Sequence, residues 1–234
     1  MIPTGRMNEV MPMDLMEAMR ARHSVRQYTD EPIADDATQA LEKEIRQCNR
    51  EGGLHFQLVL NEPKAFDGFM AHYGKFSGVR NYIALIGPKG PDLEEKCGYW
   101  GERLVLLAQQ LGLNTCWVAL TYSKVRTAFT ILEGEKLCVV IALGYGKTQG
   151  TSHRSKPASA VTKADGPVPD WFQRGVEAAL LAPTAMNQQK FTLTLEGGKA
   201  SAKAGMGFYA KVDLGIVRYH FELAAGREHC AWCV

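Results

Sequence analysis

No stretch of this 234-residue sequence stays apolar for long enough to cross a membrane as a helix. The longest uninterrupted run is Leu137 to Leu143, and a spanning helix needs about 18 or more such residues. The opening MIPTGRMNEVMPMDLM has no apolar core behind a basic start, so it is not expected to act as a secretory signal. Charge of one sign is also missing: 27 Lys and Arg stand against 25 Asp and Glu, a formal +2. That balance asks for neither nucleic acid nor an anionic membrane as a partner. Six cysteines are too few for a disulfide scaffold. Cys48, Cys97, Cys116 and Cys138 sit inside apolar, periodic segments and read as small core residues. The cytoplasm is the default compartment. Also absent are a Walker loop, a Gly-x-Ser-x-Gly elbow, a His-Glu-x-x-His pair and a Gly-x-Gly-x-x-Gly turn opening a helix after a strand. P-loop, serine hydrolase, zinc peptidase and Rossmann readings lose their usual support.

What is present is a globular composition, 46% hydrophobic and 22% charged, on a chain long enough to bury a core. Residues 1–13 read as a flexible leader. Asp14 with Glu17 predicts a capping pair that opens a helix reaching about Arg22. SVRQYTDEPI (24–33) reads as extended. Ala37, Leu41, Ile45 and Cys48 fall at helical spacing, and Gly52-Gly53 stops that helix. HFQLVL alternates and predicts a strand with Phe56, Leu58 and Leu60 on one side; NYIALIG (81–87) predicts a buried strand. Leu93, Cys97, Trp100, Leu104, Leu107 and Leu111 mark the clearest helix, with Gly112 as terminator. LCVVIALG (137–144) is another buried strand, and 147–169 reads as a loop or linker. Asp170 with Gln173 predicts a second capping pair and a helix ended by Pro183. FTLTLEGGKASAKA predicts a hairpin turning at Gly197-Gly198. Asp213 is expected to start the last helix, and GREHCAWCV is the tail. A helix running into an alternating strand occurs twice, over 35–60 and 170–195, which hints at an internal duplication.

Four constellations could carry chemistry. Arg22, His23, Ser24 and Arg26 cluster where the first helix gives way to extended chain, and there Arg22, Ser24 and Arg26 would share one side. Guanidinium forks and a hydroxyl suit a phosphate; a solvated basic turn is the plain alternative. His153, Arg154, Ser155 and Lys156 form a second basic cluster in the long loop, either closing over an anion or serving as a charged linker. Ala182-Pro183-Thr184-Ala185-Met186-Asn187-Gln188-Gln189 lies between a helix and a strand, where free backbone N–H groups and amides can face a flat polar heterocycle or can close an ordinary turn. Cys230 and Cys233 beside His229 could bind metal or cycle as a dithiol. Structural zinc wants four ligands and no second such pair exists, so this segment reads as a frayed tail.

These residues resemble the nitroreductase family. MEAMRARHSVRQYTDEPI is similar to that family's opening helix and its Arg, Arg or His, Ser, any residue, Arg or Lys motif. LVLLAQQLGLNTCWVAL resembles its central helix and the Leu-Gly-Leu-Gly-Thr-Cys-Trp segment. VVIALGYGKTQGTSHRSKP resembles its late strand and basic loop. VEAALLAPTAMNQQKFTLTL resembles its Ala-Pro-Ser-x-x-Asn-x-Gln-Pro-Trp segment. The order departs from the common one. The Ala-Pro segment usually follows soon after the Arg-Ser segment, but here it comes last, and NREGGLHFQLVL holds its usual place. This is similar to a small subgroup in which one chain imitates the usual dimer.

The resemblance implies an α+β, nitroreductase-like fold: a mixed or antiparallel sheet flanked by helices, as one domain over 14–226 with pseudo-repeat halves of about 14–165 and 166–226, and a tail at 227–234. It implies FMN, with NADH or NADPH as transient donor, and ping-pong hydride transfer through flavin N5 to a nitroaromatic, quinone or similar small acceptor. Arg22, His23, Ser24 and Arg26 match the phosphate and flavin-edge motif. Pro183, Thr184, Ala185 and Asn187 match the segment against the flavin ring, and Gln189 the motif's Gln, although Lys190-Phe191 replaces Pro-Trp. Arg154, Ser155 and Lys156 occupy the basic loop, and Trp117 to Leu120 the region facing N5. No side chain is expected to act as a nucleophile or as an acid-base catalyst, and no metal is expected. A monomer acting as a pseudo-dimer, or a homodimer, follows. The alternative is a flavin carrier or redox sensor.

Overall fold

The structure, a computed structural model, describes residues 13–125 and 127–232. Residues 1–12 of the expected leader, and Cys233, lie outside the described residues. Helix α1 (Leu15–Ala21) opens with the expected capping box: Glu17 N donates to Asp14 and Asp14 N donates back to Glu17. Helix α2 (Asp35–Gly52) ends at Gly53, whose φ of 62° is the left-handed C-cap conformation that glycine tolerates. Strands β1 (Gln57–Val59) and β2 (Asn81–Pro88) follow, separated by the short helix α3 (Phe69–Tyr73). Next come α4 (Leu93–Gln110), β3 (Asn114–Val118), β4 (Glu135–Gly144) and β5 (Thr162–Ala164). The chain closes with α5 (Asp170–Ala179), β6 (Phe191–Glu196), β7 (Lys199–Ala204) and α6 (Ala210–Ala225).

Two sheets form. One is antiparallel in the order β1-β2-β4-β3; the other is mixed, β5-β6-β7, with β5 parallel to β6. Side chains from both sheets and from α2, α4, α5 and α6 share one core, in which Leu85, Leu104, Ile141, Phe172, Leu193 and Phe221 meet. The outer face of the four-stranded sheet is covered as well, by Val25, Tyr28, Phe66 and Phe76. With both faces buried, β2 and β4 read as continuous apolar runs rather than alternating ones.

Helices α4 and α6 cross at the centre through a reciprocal glycine contact. A Cβ on Gly98 would strike the Val212 carbonyl oxygen, and a Cβ on Gly215 would strike that of Glu95. Around this crossing the order helix, strand, strand, helix occurs twice: α2-β1-β2-α4, interrupted by α3, and α5-β6-β7-α6.

Some expectations are corrected. Asp170 does not cap α5: Pro169 is the N-cap, and the Gln173 amide donates to Glu177 instead. Asp213 does not start α6, which begins at Ala210 after Tyr209. Leu60 falls beyond β1 and is exposed, while Val59 is buried on the outer face. The 147–169 segment contributes β5. Cys138 is only partly buried, unlike Cys48, Cys97 and Cys116. The tail is not frayed up to Trp232: Cys230 is buried and pairs with Ala200, and Trp232 packs on Phe221.

Candidate functional site

The first helix delivers its basic cluster by a change of backbone at Arg22, where ψ is 118°. The extended chain beyond it lies along β3. Val25 N donates to the Thr115 carbonyl, and Ser24 pairs with Thr115 in parallel. Val25 is buried, so alternation sends Ser24 and Arg26 to the other side. The Arg26 guanidinium sits 5.7 Å from the Phe76 ring centre.

The second component is the turn after α5. Met186, Asn187 and Gln189 have φ of 51°, 53° and 44°, each in a left-handed conformation that costs a residue with a Cβ about 1–2 kcal/mol. Such strain persists only where surroundings over-determine it, and here they do. Asp213, in the first turn of α6, accepts from Ala185 N at 2.9 Å and from the Gln188 amide at 2.7 Å. Gln189 N donates to Thr184 Oγ1. The Asn187 and Gln189 amides both donate to the Arg154 carbonyl. Lys156 donates its backbone N–H to Gln189 Oε1 and its ammonium to the carbonyls of Gln188 and Gln189. The basic loop is therefore a latch on this turn.

The two components face one cavity of about 130 Å³. Ser24 and Arg26 form one side, Pro183 to Met186 another, and Cys116 to Ala119 of β3 and its exit a third; Tyr209, Val212 and Asp213 complete it. A volume near this size accepts a single benzene ring, so a larger flat ligand would enter by one edge. Burial pushes the Cys116 thiol up, against the pull of Arg26 and Ser24, which leaves it a neutral lining group. Burial likewise raises the Asp213 carboxyl to about 6.

Behind the cavity lies a buried charge cluster. Glu102 of α4 is fully buried; it accepts from Trp117 Nε1 at 3.0 Å, meets His220 Nε2 at 2.9 Å and lies 3.9 Å from Arg22 Nε. His220 Nδ1 is 3.1 Å from the Ala178 carbonyl, which can only accept, so Nδ1 carries a proton. Arg22, 3% exposed, brings a buried cation to the cluster. Its Nε and Nη1 are buried without hydrogen-bond partners. Burial holds the Arg22 guanidinium below its ordinary value, with Glu102 opposing. A buried cation with unused donors calls for an anion.

Of the residues singled out from sequence, Ser24, Arg26, Pro183, Thr184 and Ala185 line the cavity together. Arg22 lies in the charge cluster. His23 is half-buried against Gly150, its imidazole held below the ordinary value first by burial and then by Arg22. Arg154, Ser155, Lys156, Asn187 and Gln189 build the latch, with Ser155 donating to the Leu180 carbonyl. Trp117 to Ala119 reach the cavity, while Leu120 does not line it. Sequence reasoning missed Glu102, His220, Tyr209 and the role of Asp213. The available signal was a charged residue on the apolar stripe of α4, and a second on that of α6. Among the described residues no cluster of His, Cys, Asp and Glu could hold a metal ion, and no helix is long and apolar enough to cross a membrane.

A family model described as "Putative TM nitroreductase" matches residues 14–225. Among solved structures, a protein from Thermotoga maritima named a putative nitroreductase aligns with a TM-score of 0.66 at 23% identity, over 97% of this chain and 90% of that one. Proteins from Parabacteroides distasonis and Bacteroides thetaiotaomicron, each named a putative NADH dehydrogenase/NAD(P)H nitroreductase, align with TM-scores of 0.50 at 23% and 20% identity. In both cases 63% of this chain accounts for 95% of the other. No curated protein sequence matches.

Proposed function

The chain belongs to this TM nitroreductase family, and from that premise we propose that it is an FMN-dependent oxidoreductase driven by NADH or NADPH. The observation that carries the reading is the meeting of Ser24 and Arg26 with the Pro183–Ala185 turn at one cavity, in front of the buried Arg22 guanidinium and its unused donors. The residues present fit an anionic, flat, polar cofactor. Arg22 and Arg26 offer cations, Ser24 a hydroxyl, and the turn a polar wall held rigid by Asp213 and the 154–156 latch. A flavin held there would supply hydride transfer from a nicotinamide donor to a nitroaromatic, quinone or similar small acceptor. The chain's own part is electrostatic and positional. Arg26 at the cavity edge stabilises negative charge that grows on a bound ring. Arg22, buried behind the cavity wall, adds positive charge that water does not screen. Trp117, fixed through Glu102, keeps β3 in place. No side chain need act as a nucleophile.

The purified protein, incubated with FMN and desalted, is expected to hold a flavin absorbance that bleaches under anaerobic NADH or NADPH, and the faster donor identifies the preferred nicotinamide. Bound flavin that stays oxidised with both donors would move the reading to a flavin carrier. Failure to retain any flavin would remove the cofactor from the proposal altogether.

A further inference from the structure

Cys97 and Cys138 are not among the residues that line the cavity, yet the fold brings their sulfurs together. Strands β2 and β4 pair in register from Asn81 with Leu143 to Leu85 with Val139; then Ile86 pairs with Leu137. Cys138 is thus an extra residue without a partner across the ladder, the signature of a bulge, which locally re-aims side chains. The packing shows the result. Leu137 and Val140 belong to the core on the outer face, whereas Cys138 and Val139, although consecutive, both pack into the core beneath the helices. There Cys138 meets Cys97 of α4, within hydrogen-bonding reach. Cys97 is fully buried and Cys138 partly exposed.

We propose that Cys97 and Cys138 form a reversible dithiol–disulfide site, oxidised by hydroperoxides, that ties α4 to β4 beside the cavity. The two thiols divide the work. The hydrogen bond between them holds the Cys138 thiol below its ordinary value and the Cys97 thiol above its own, and Cys138 is the one that solvent reaches. A reachable sulfur with thiolate character attacks first, and a shielded neighbour resolves it. The Cys138 thiolate attacks one oxygen of hydrogen peroxide and the O–O bond breaks. The leaving hydroxide takes a proton and departs as water, leaving Cys138 as the sulfenic acid. The Cys97 sulfur then displaces that hydroxyl, its own proton leaving with it as a second water, and the S–S bond forms. Two thiols give up two electrons and one peroxide becomes two waters. An external dithiol reverses the bond by exchange. Val139, next to Cys138, lines the cavity, as does Tyr209, whose hydroxyl feels the Cys138 sulfur. Bond formation therefore reaches the cavity wall. This inference does not depend on a flavin being bound.

The test exposes the full-length protein to hydrogen peroxide, blocks remaining thiols with iodoacetamide in denaturant, and digests without reductant. The intact chain is expected to lose two hydrogens, with a peptide joining Cys97 to Cys138 that disappears with dithiothreitol. Cys138→Ala should abolish the joined peptide. Cys97→Ala should leave Cys138 as a sulfenic acid that dimedone labels; if that core variant does not fold, the wild type and Cys138→Ala decide the matter alone. Loss of the two hydrogens between Cys230 and Cys233 instead would overturn the proposal. So would oxidation of Cys138 to the sulfinic acid while Cys97 stays open to alkylation.

Discussion

Glu102 holds three donors or cations that come from positions far apart in the chain, so its neutralisation should be felt at once in folding and at the site. Glu102→Gln leaves Arg22 and His220 buried against an uncharged amide. Removing one partner of a buried ion pair costs about 3–5 kcal/mol, and a loss of that order is expected in urea titrations, together with weaker retention of added FMN. Asp213 gives a pH signature. Its folded carboxyl titrates near 6, against 3.8 for the ordinary group, because burial disfavours the charge. Its contribution favours the fold fully below about pH 4 and is lost as pH rises through about 6, a change of about 3 kcal/mol for two units. Asp213→Asn should flatten that slope, read as the difference between wild-type and variant unfolding free energies at about pH 4 and pH 7. At this scale the sequence showed the local motifs well. Ser24, Arg26, Pro183, Thr184 and Ala185 stand in short runs whose residue types announce anion and heterocycle chemistry, and they do meet at one cavity. Glu102, His220 and Asp213 were hidden because a buried partner is defined by packing across the core, and no local spacing records it.

The contact between α4 and α6 is an arrangement of two helices that only glycine permits. Gly98→Ala should be costly, and Gly215→Ala equally so, because each new methyl would meet a backbone carbonyl that cannot swing away. Overpacking of this kind costs about 1–3 kcal/mol, measurable as a fall in melting temperature; a neutral outcome would mean that the helices can slide apart freely. Periodicity made α4 legible to within a residue or two, and the Gly197-Gly198 turn revealed the β6-β7 hairpin, both glycines having positive φ. Strand β5 was not legible. It is three residues long and pairs in parallel with a strand about thirty residues further on, so neither alternation nor a turn signal announces it. The start of α6 was displaced for a related reason: Asp213 has the residue type of a cap, but its side chain is committed to the turn at Ala185 and Gln188.

For the molecule as a whole, we propose that the two helix-strand-strand-helix units act as the two halves of a pseudo-dimer, which builds one flavin site from a single chain. The expected outcome is one FMN per chain in a particle of about 25.8 kDa, by light scattering with absorbance stoichiometry. A particle of twice that mass holding two flavins strictly between copies would overturn it. Between the halves the backbone runs through Asp165 to Pro169, a segment exposed for most of its length. What joins the halves is therefore the α4–α6 crossing and the latch at Arg154 and Lys156, rather than the covalent link. Cut there and expressed as two pieces, the chain should recover itself by fragment complementation, with the glycine crossing acting as the dimer interface that the single chain has absorbed.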